Sequence, residues 1–240
     1  MRIGIVGAGN IGGTLARLWV AAGHEVMVGF ARNPQRLRAL TESLGPSAAP
    51  GTPAEVADFG EVVVLSVPWP ALDEALAAVG GAQALAGRVL VDTCNPFAWP
   101  GGPLALPRGA TSAGLELSRR LPGTRLVKAF NTLYYVTLAE AAGRPVRLAL
   151  PMSGDDPDAK ELVAGLVQDA GYEPVDIGSL GGAARQEPGG AVYGEELTAG
   201  EVGDRLVPRQ ATFALLMVSA LVMTSRSRGW VAACRFRQAM

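Results

Sequence analysis

Three observations predict an α/β fold built on a doubly wound parallel sheet. Short, almost wholly apolar runs such as RIGIV and EVVVLSVP alternate with stretches whose apolar residues recur at helical spacing. Gly7, Gly9 and Gly12 follow the first of these runs and open the first helical stretch. The composition, 49% hydrophobic and 18% charged over 240 residues, suits one large domain with an appendage and a sizeable core. Together these imply a Rossmann-type sheet with helices on both faces, followed by a small C-terminal portion that is helical or irregular.

The elements follow in order. Arg2 to Val6 reads as a buried strand. Asn10 to Ala22 reads as a helix, because Ile11, Leu15, Leu18 and Trp19 fall on one face, and Gly23 closes it. Glu25 to Gly29 is a second strand, and Asn33 to Leu44 a second helix opening with Pro34. GTPAEVADFG suggests a short helix from Pro53; EVVVLSVP is a third strand stopped by Pro68; PALDEALAAVG is a helix; GRVLVDTCNP is a strand ending in a polar turn. The Pro- and Gly-rich stretch from Pro96 to Thr111 reads as a loop. Helix SAGLELSRRL, strand RLVKAF, turn NTLYY, strand RPVRLALPMSG, a helix over Asp156 to Ala170 and strand YEPVDIG complete the alternation. It fades after residue 178, so a dinucleotide-binding domain is expected over 1–178 and a smaller C-terminal portion over 179–240.

Charge and cysteine usage narrow the class. A net charge of -1 gives no basic field for nucleic acid. Cys94 and Cys234 make no disulfide framework. The apolar run from Ala211 to Met223 is 13 residues, short of the ~20 that a membrane span needs, and reads as a core or subunit-contact helix. Met1 leads into a strand without a signal-peptide pattern, so a cytoplasmic, membrane-free protein is expected.

Gly7, Gly9 and Gly12 meet the spacing G-x-G-x-x-G in the strand–turn–helix setting that gives it meaning. Gly7 permits the tight turn, Gly9 lets backbone approach a pyrophosphate, and Gly12 lets helix and strand pack closely. The helix N-terminus offers N–H groups and partial positive charge to phosphates. The alternative is a tight βα turn with no ligand. At the end of the second strand, MVGFARNPQRL holds no acid for a ribose 2′-hydroxyl but does hold Arg32, with Arg36 a turn further on. A guanidinium suits a 2′-phosphate, which points to NADP over NAD; otherwise both arginines are solvated.

The catalytic inventory is short. The single histidine, His24, lies in the turn AAGHEV at the sheet edge away from the strand C-termini, and reads as a surface residue. The two lysines are Lys128 and Lys160, the latter read as lying on a solvated helix face. No Tyr precedes a Lys by four residues, and no metal-ligating cluster stands out. Hydride delivery to a carbonyl needs a proton donor beside it, and candidates are few. That scarcity favours a flavin or deazaflavin acceptor, whose ring takes up the charge itself, leaving the protein to stack two rings.

IVGAGNIGGTLARLW, GFARNP, VLSVPW, VDTCNP, VKAFNT and GDDPDAKELV, in this order, resemble the NADPH-dependent coenzyme F-420 reductases and their bacterial homologues, over about residues 1–190. The resemblance implies hydride transfer between NADP and the deazaflavin F-420, a homodimer, and a C-terminal portion carrying acceptor-site and dimer contacts. It implies that Gly7, Gly9, Asn10 and Ile11 meet the pyrophosphate and Arg32 the 2′-phosphate. Ser66, Val67 and Pro68 would line the adenosine side, with Asn95 at the next strand end. Lys128, Ala129, Phe130 and Asn131 would flank the nicotinamide. Read from the residues alone, Phe130 is equally a core ring, Asn131 the start of an Asx turn, and Cys94 a small buried residue. Phe30 and Ala31 stand where the family often has small polar residues. ARQEPGGAVYGEEL resembles a bacterial branch, in which Arg185 either reaches an anionic acceptor tail or makes a structural salt bridge. Other readings are a reductase of flavin, ferric iron or quinone, a hydroxyacid or imine reductase, and a non-catalytic NADP sensor.

Overall fold

A computed structural model describes residues 1–30, 33–98 and 101–207. Arg32, with its neighbour Ala31, the run 211–223 and the tail 224–240 lie outside the described residues. The chain divides into two compact units, Met1–Val202 and Gly203–Met240, and the main sheet lies wholly in the first.

Along the chain the strands and helices are β1 (Arg2–Val6), α1 (Asn10–Ala21), β2 (Glu25–Gly29), α2 (Pro34–Leu44), β3 (Ala48–Pro50), α3 (Pro53–Phe59) and β4 (Val62–Leu65). Next come α4 (Leu72–Ala78), α5 (Gly81–Leu85), β5 (Val89–Asp92), β6 (Phe97–Ala98), β7 (Gly102–Pro103) and α6 (Ala113–Arg120). The remainder are β8 (Arg125–Lys128), α7 (Tyr135–Glu140), β9 (Ala149–Gly154), α8 (Pro157–Asp169), β10 (Glu173–Asp176) and α9 (Ala199–Leu206), with a 3-10 segment at Leu180–Gln186.

Eight strands form one sheet in the order β10-β9-β8-β5-β4-β1-β2-β3, and β6 and β7 form a small antiparallel pair of their own. The fold is Rossmann-like: successive strands extend from β1 to one side as far as β3, then switch to the other side at β4. One joint departs from the expected parallel sheet, because β8 and β9 pair antiparallel. Their connection leaves and re-enters the sheet at the same edge, so it needs no crossover and holds only the short α7.

Side chains alternate across the strands and build a core on each face. On one face Ile3, Ile5, Val62, Val64, Val91 and Val127 pack with Leu15 and Trp19 of α1 and with Val163 and Leu166 of α8. The Trp19 indole donates to Leu166 O at 2.9 Å, tying the two helices. On the other face Val6, Val63, Leu65, Leu90 and Leu126 pack with Val56, Leu72, Leu76 and Leu117. Gly4 is required here, since a Cβ would come within 2.2 Å of Val56 O on α3.

The helices start where their sequences offer caps. Asn33, Thr52, Ser112 and Asp156 each accept an N–H from the first turn of α2, α3, α6 and α8. Gly80 and Gly81, both at positive φ, separate α4 from the short α5, which lies beyond the helix read from PALDEALAAVG. His24 is a correction: it is buried, its Nε2 3.0 Å from Asp169 Oδ2, rather than a surface turn residue. Lys160 is half-buried on its helix and donates to Asp176 Oδ2 at 2.7 Å.

Candidate functional site

Strand register gathers the candidate residues. Val6 pairs with Gly29 and Leu65, Leu65 with Asp92, and Asp92 with Lys128, so these strands end level with one another. The glycine loop, Ser66–Pro68, Asn95 and Ala129–Asn131 therefore emerge along one edge, on both sides of the switch between β1 and β4.

The three glycines have different jobs. Gly7 turns at φ 121° and packs under β4, where a Cβ would come within 2.0 Å of Ser66 O. A Cβ at Gly12 would come within 2.0 Å of Gly7 O, so Gly12 lets α1 start against the loop. A Cβ at Gly9 would meet nothing within 4 Å, so the space above it is open. Gly9 is the N-cap of α1, no side chain caps that helix, and its first turn holds no acid. Asn10 is exposed and Ile11 half-buried beside this opening. A long helix with an uncapped N-terminus below an open backbone concavity is a ready anion cradle.

Phe30 follows β2 with φ at 57°, an unusual conformation for a bulky residue that turns the chain towards α2. Arg36 is exposed on the first turn of α2 and shares a groove of about 650 Å³ with Gly9, Asn10, Arg17, Leu40 and Tyr135. Its guanidinium and the glycine loop thus border one concavity. Ser66 and Val67 are buried while Pro68 is exposed, so of the trio beyond β4 only Pro68 stands open to solvent.

Across the switch a buried polar network takes over. Lys128 is fully buried, and its Nζ donates to Asp92 Oδ2 at 2.8 Å and Cys94 O at 2.6 Å, with Glu187 Oε1 3.7 Å away. Burial opposes its charge, but Asp92 and Glu187 outweigh that and hold its pKa above the ordinary lysine value. Its ammonium is therefore committed to structure. Cys94 is buried, and burial followed by the Asp92 charge pushes its thiol far above the usual range, leaving an inert residue.

The Phe130 ring is fully buried, 5.5 Å from Trp19 and edge-on to it, so it is a core ring, and with φ at 59° the residue shapes the backbone beyond β8. Ala129 is buried as well. Asn131 Nδ2 donates to Asn95 Oδ1 at 2.9 Å and to Gln186 O at 2.7 Å, and Asn95 Nδ2 donates to Asn131 O at 2.8 Å. The half-buried Asn95 is the member of this pair nearer solvent.

Sequence reasoning missed Gln186 and Glu187. Gln186 is fully buried, donates to Lys128 O at 3.0 Å and Asn131 Oδ1 at 2.9 Å, and keeps Oε1 unpartnered. Glu187 accepts from the N–H groups of Ala113 and Gly114. The only signal was three adjacent polar residues, RQE, within a glycine-rich stretch. The Arg185 guanidinium donates to the carbonyls of Ile177 and Gly182. Tyr134, Tyr135 and Val136 form an exposed apolar run just beyond Asn131, Thr132 and the buried Leu133.

Residues 2–96, from β1 through the turn beyond β5, match the family described as NADP oxidoreductase, coenzyme F420-dependent. A protein from Arthrobacter sp. FB24, proposed to be an F420-dependent NADP reductase, is 30% identical with a TM-score of 0.63, over 74% of this chain and 85% of that one. This chain is a member of the NADP-dependent oxidoreductase family. A hypothetical protein from Sinorhizobium meliloti is 29% identical with a TM-score of 0.72, over 82% of this chain and 95% of that one. The metalloreductase STEAP3 of Rattus norvegicus is 32% identical to this oxidoreductase over 186 residues, 78% of this chain; the chain spans 36% of that relative's length. Among the described residues of the oxidoreductase, no helix is long and apolar enough to cross a membrane, and no three His, Cys, Asp or Glu gather as a metal site.

Proposed function

We propose that the protein transfers hydride between NADP(H) and a deazaflavin of the F-420 type. The observation that carries this reading is the uncapped α1 N-terminus beneath the open space at Gly9, bordered by Arg36. Gly9, Asn10 and Ile11 would hold the pyrophosphate through backbone N–H groups. Arg32 and Arg36 would hold the 2′-phosphate, which a carboxylate would repel. Pro68 and the Ser66–Val67 backbone would border the adenosine side, and Asn95 and Asn131 the nicotinamide side. With NADP(H) bound, the nicotinamide supplies or takes up a hydride.

The proton inventory supports a ring acceptor over a carbonyl. Lys128 is held between Asp92 and Glu187 in the interior, and His24 is paired with Asp169. The chain's own task is then to orient two ring systems and keep water from between them. The exposed Tyr134–Val136 run supports an apolar wall for the second ring. A homodimer is part of the same reading.

The metalloreductase relative favours a second reading, NADPH oxidation by flavin or ferric iron. An anaerobic absorbance assay separates the two, with NADPH and oxidised F-420 in one cell, and flavin mononucleotide or ferric citrate in the others. Loss of the deazaflavin absorbance in step with NADPH oxidation is the expected result. Oxidation by flavin or iron alone would replace the first reading with the second. Tight NADPH binding without oxidation by any of them would identify a sensor.

A further inference from the structure

After β10 the chain returns across the ends of β9 and β8 as a strap. Gly154 N donates to Gly178 O at 3.0 Å, Leu180 N to Asp155 Oδ1 at 3.1 Å, and Ser112 Oγ to Leu180 O at 3.0 Å. Further on, Gly194 N donates to Thr132 O at 2.9 Å, and Ala149 N to Leu197 O at 2.7 Å. The strap thus crosses β8 and β9, on the far side of the switch from the glycine loop and Arg36.

Its central fastening is ionic. Glu187 is 4% exposed, and its two oxygens accept from Ala113 N at 2.8 Å and Gly114 N at 2.9 Å in the first turn of α6. The cap of α6 is therefore shared between Ser112 and a carboxylate 73 residues away. Lys128 Nζ lies 3.7 Å from the same carboxylate. Lifting the strap here would strand two helix N–H groups and take one carboxylate from a buried ammonium. Beside it Gln186 bonds Lys128 O and Asn131 Oδ1, and Tyr193 is half-buried further along the strap.

We infer that Glu187 is a positioning residue: its carboxylate, bound to the α6 N-terminus and Lys128, locks the strap as the wall of the acceptor site. Placing the acceptor there rests on the hydride-transfer reading above; the lock itself does not. Glu187 acts through Gln186 and Tyr193.

Glu187→Gln keeps the shape, removes the charge and turns an N–H towards the helix donors. Amide hydrogen exchange in the intact variant should rise about tenfold over 178–194 and 113–115 and stay unchanged over 1–30. NADPH affinity, read by fluorescence titration, should hold within about twofold, while the KM for F-420 rises about tenfold and kcat changes less. Glu187→Asp should recover part of both effects. Unchanged exchange in the strap, or NADPH affinity falling in parallel with the F-420 KM, overturns the proposal. Should Glu187→Gln not fold, Gly114→Ala presses the same joint, its Cβ 3.2 Å from Lys128 Cδ and 3.4 Å from Ala183 Cβ. It should give the same pattern at smaller amplitude, and no change would equally overturn the lock. If the unaltered protein does not reduce F-420, the hydride-transfer reading fails and hydrogen exchange alone decides for or against the lock.

Discussion

Gly9 and Gly12 sit three residues apart in one motif, yet their surroundings demand opposite things of a substitution. Alanine at Gly9 enters open space, so the fold should survive at a cost of no more than about 1 kcal/mol from a poorer N-cap. The methyl group should nonetheless weaken NADPH binding by tenfold or more, read by fluorescence titration, because it occupies the backbone's approach to the pyrophosphate. Alanine at Gly12 drives a methyl into Gly7 O and should destabilise the protein itself by about 1–3 kcal/mol in urea unfolding. Lys128 shows the same contrast between motif and setting. In VKAFNT it reads as a ligand-facing residue, whereas the folded chain uses it as the cation shared by Asp92 and Glu187. Lys128→Met should cost about 3–5 kcal/mol by leaving two buried carboxylates without their cation. A variant of ordinary stability that had lost only nucleotide affinity would contradict this assignment.

At the scale of elements, α2, α3, α6 and α8 are closed at their N-termini by a side chain, whereas the long α1 is not. The α8 N-terminus is closed twice over, since Asp156 accepts from Ala159 N at 2.9 Å and pairs with Arg125 at 2.6 Å. The Arg125 guanidinium, then the backbone donor, hold its carboxyl well below the usual carboxylate range. A depressed folded-state pKa stabilises the fold above the unfolded value of about 4, and that stability drains away as pH falls towards the folded value. Asp156→Ala should therefore be less stable than the parent at neutral pH, with the gap closing in acid; a gap independent of pH would dismiss the ion pair. The Tyr172 hydroxyl donates to Leu138 O at 2.8 Å and Thr137 O at 3.2 Å, joining α7 to the turn before β10. Burial pushes its pKa up to about 12, so its contribution is full below about 10 and fades between there and 12. Tyr172→Phe should cost about 1 kcal/mol at neutral pH, and less in strong alkali.

For the whole molecule, a ligand held by the native state alone should raise its stability by mass action. NADPH at about 100 times its Kd should add about 2.7 kcal/mol, visible as a higher Tm. NADH at the same concentration should add less, and Arg32→Ala should narrow that difference. An equal response to both dinucleotides would remove the 2′-phosphate assignment.

The sequence alone determined the alternation of strands and helices, the glycine loop and the side of the sheet on which residues 7–12, 66–68, 95 and 128–131 emerge. Those features depend on local periodicity and on strand ends that line up once neighbours pair. Only the tertiary structure decided the antiparallel joint at β9, the burial of Phe130 and Lys128, and the partnership of Glu187 with α6. Each depends on contacts between residues far apart in the chain. A lysine or a phenylalanine in a strand-end motif has the same local pattern whether it faces a ligand or another part of its own interior.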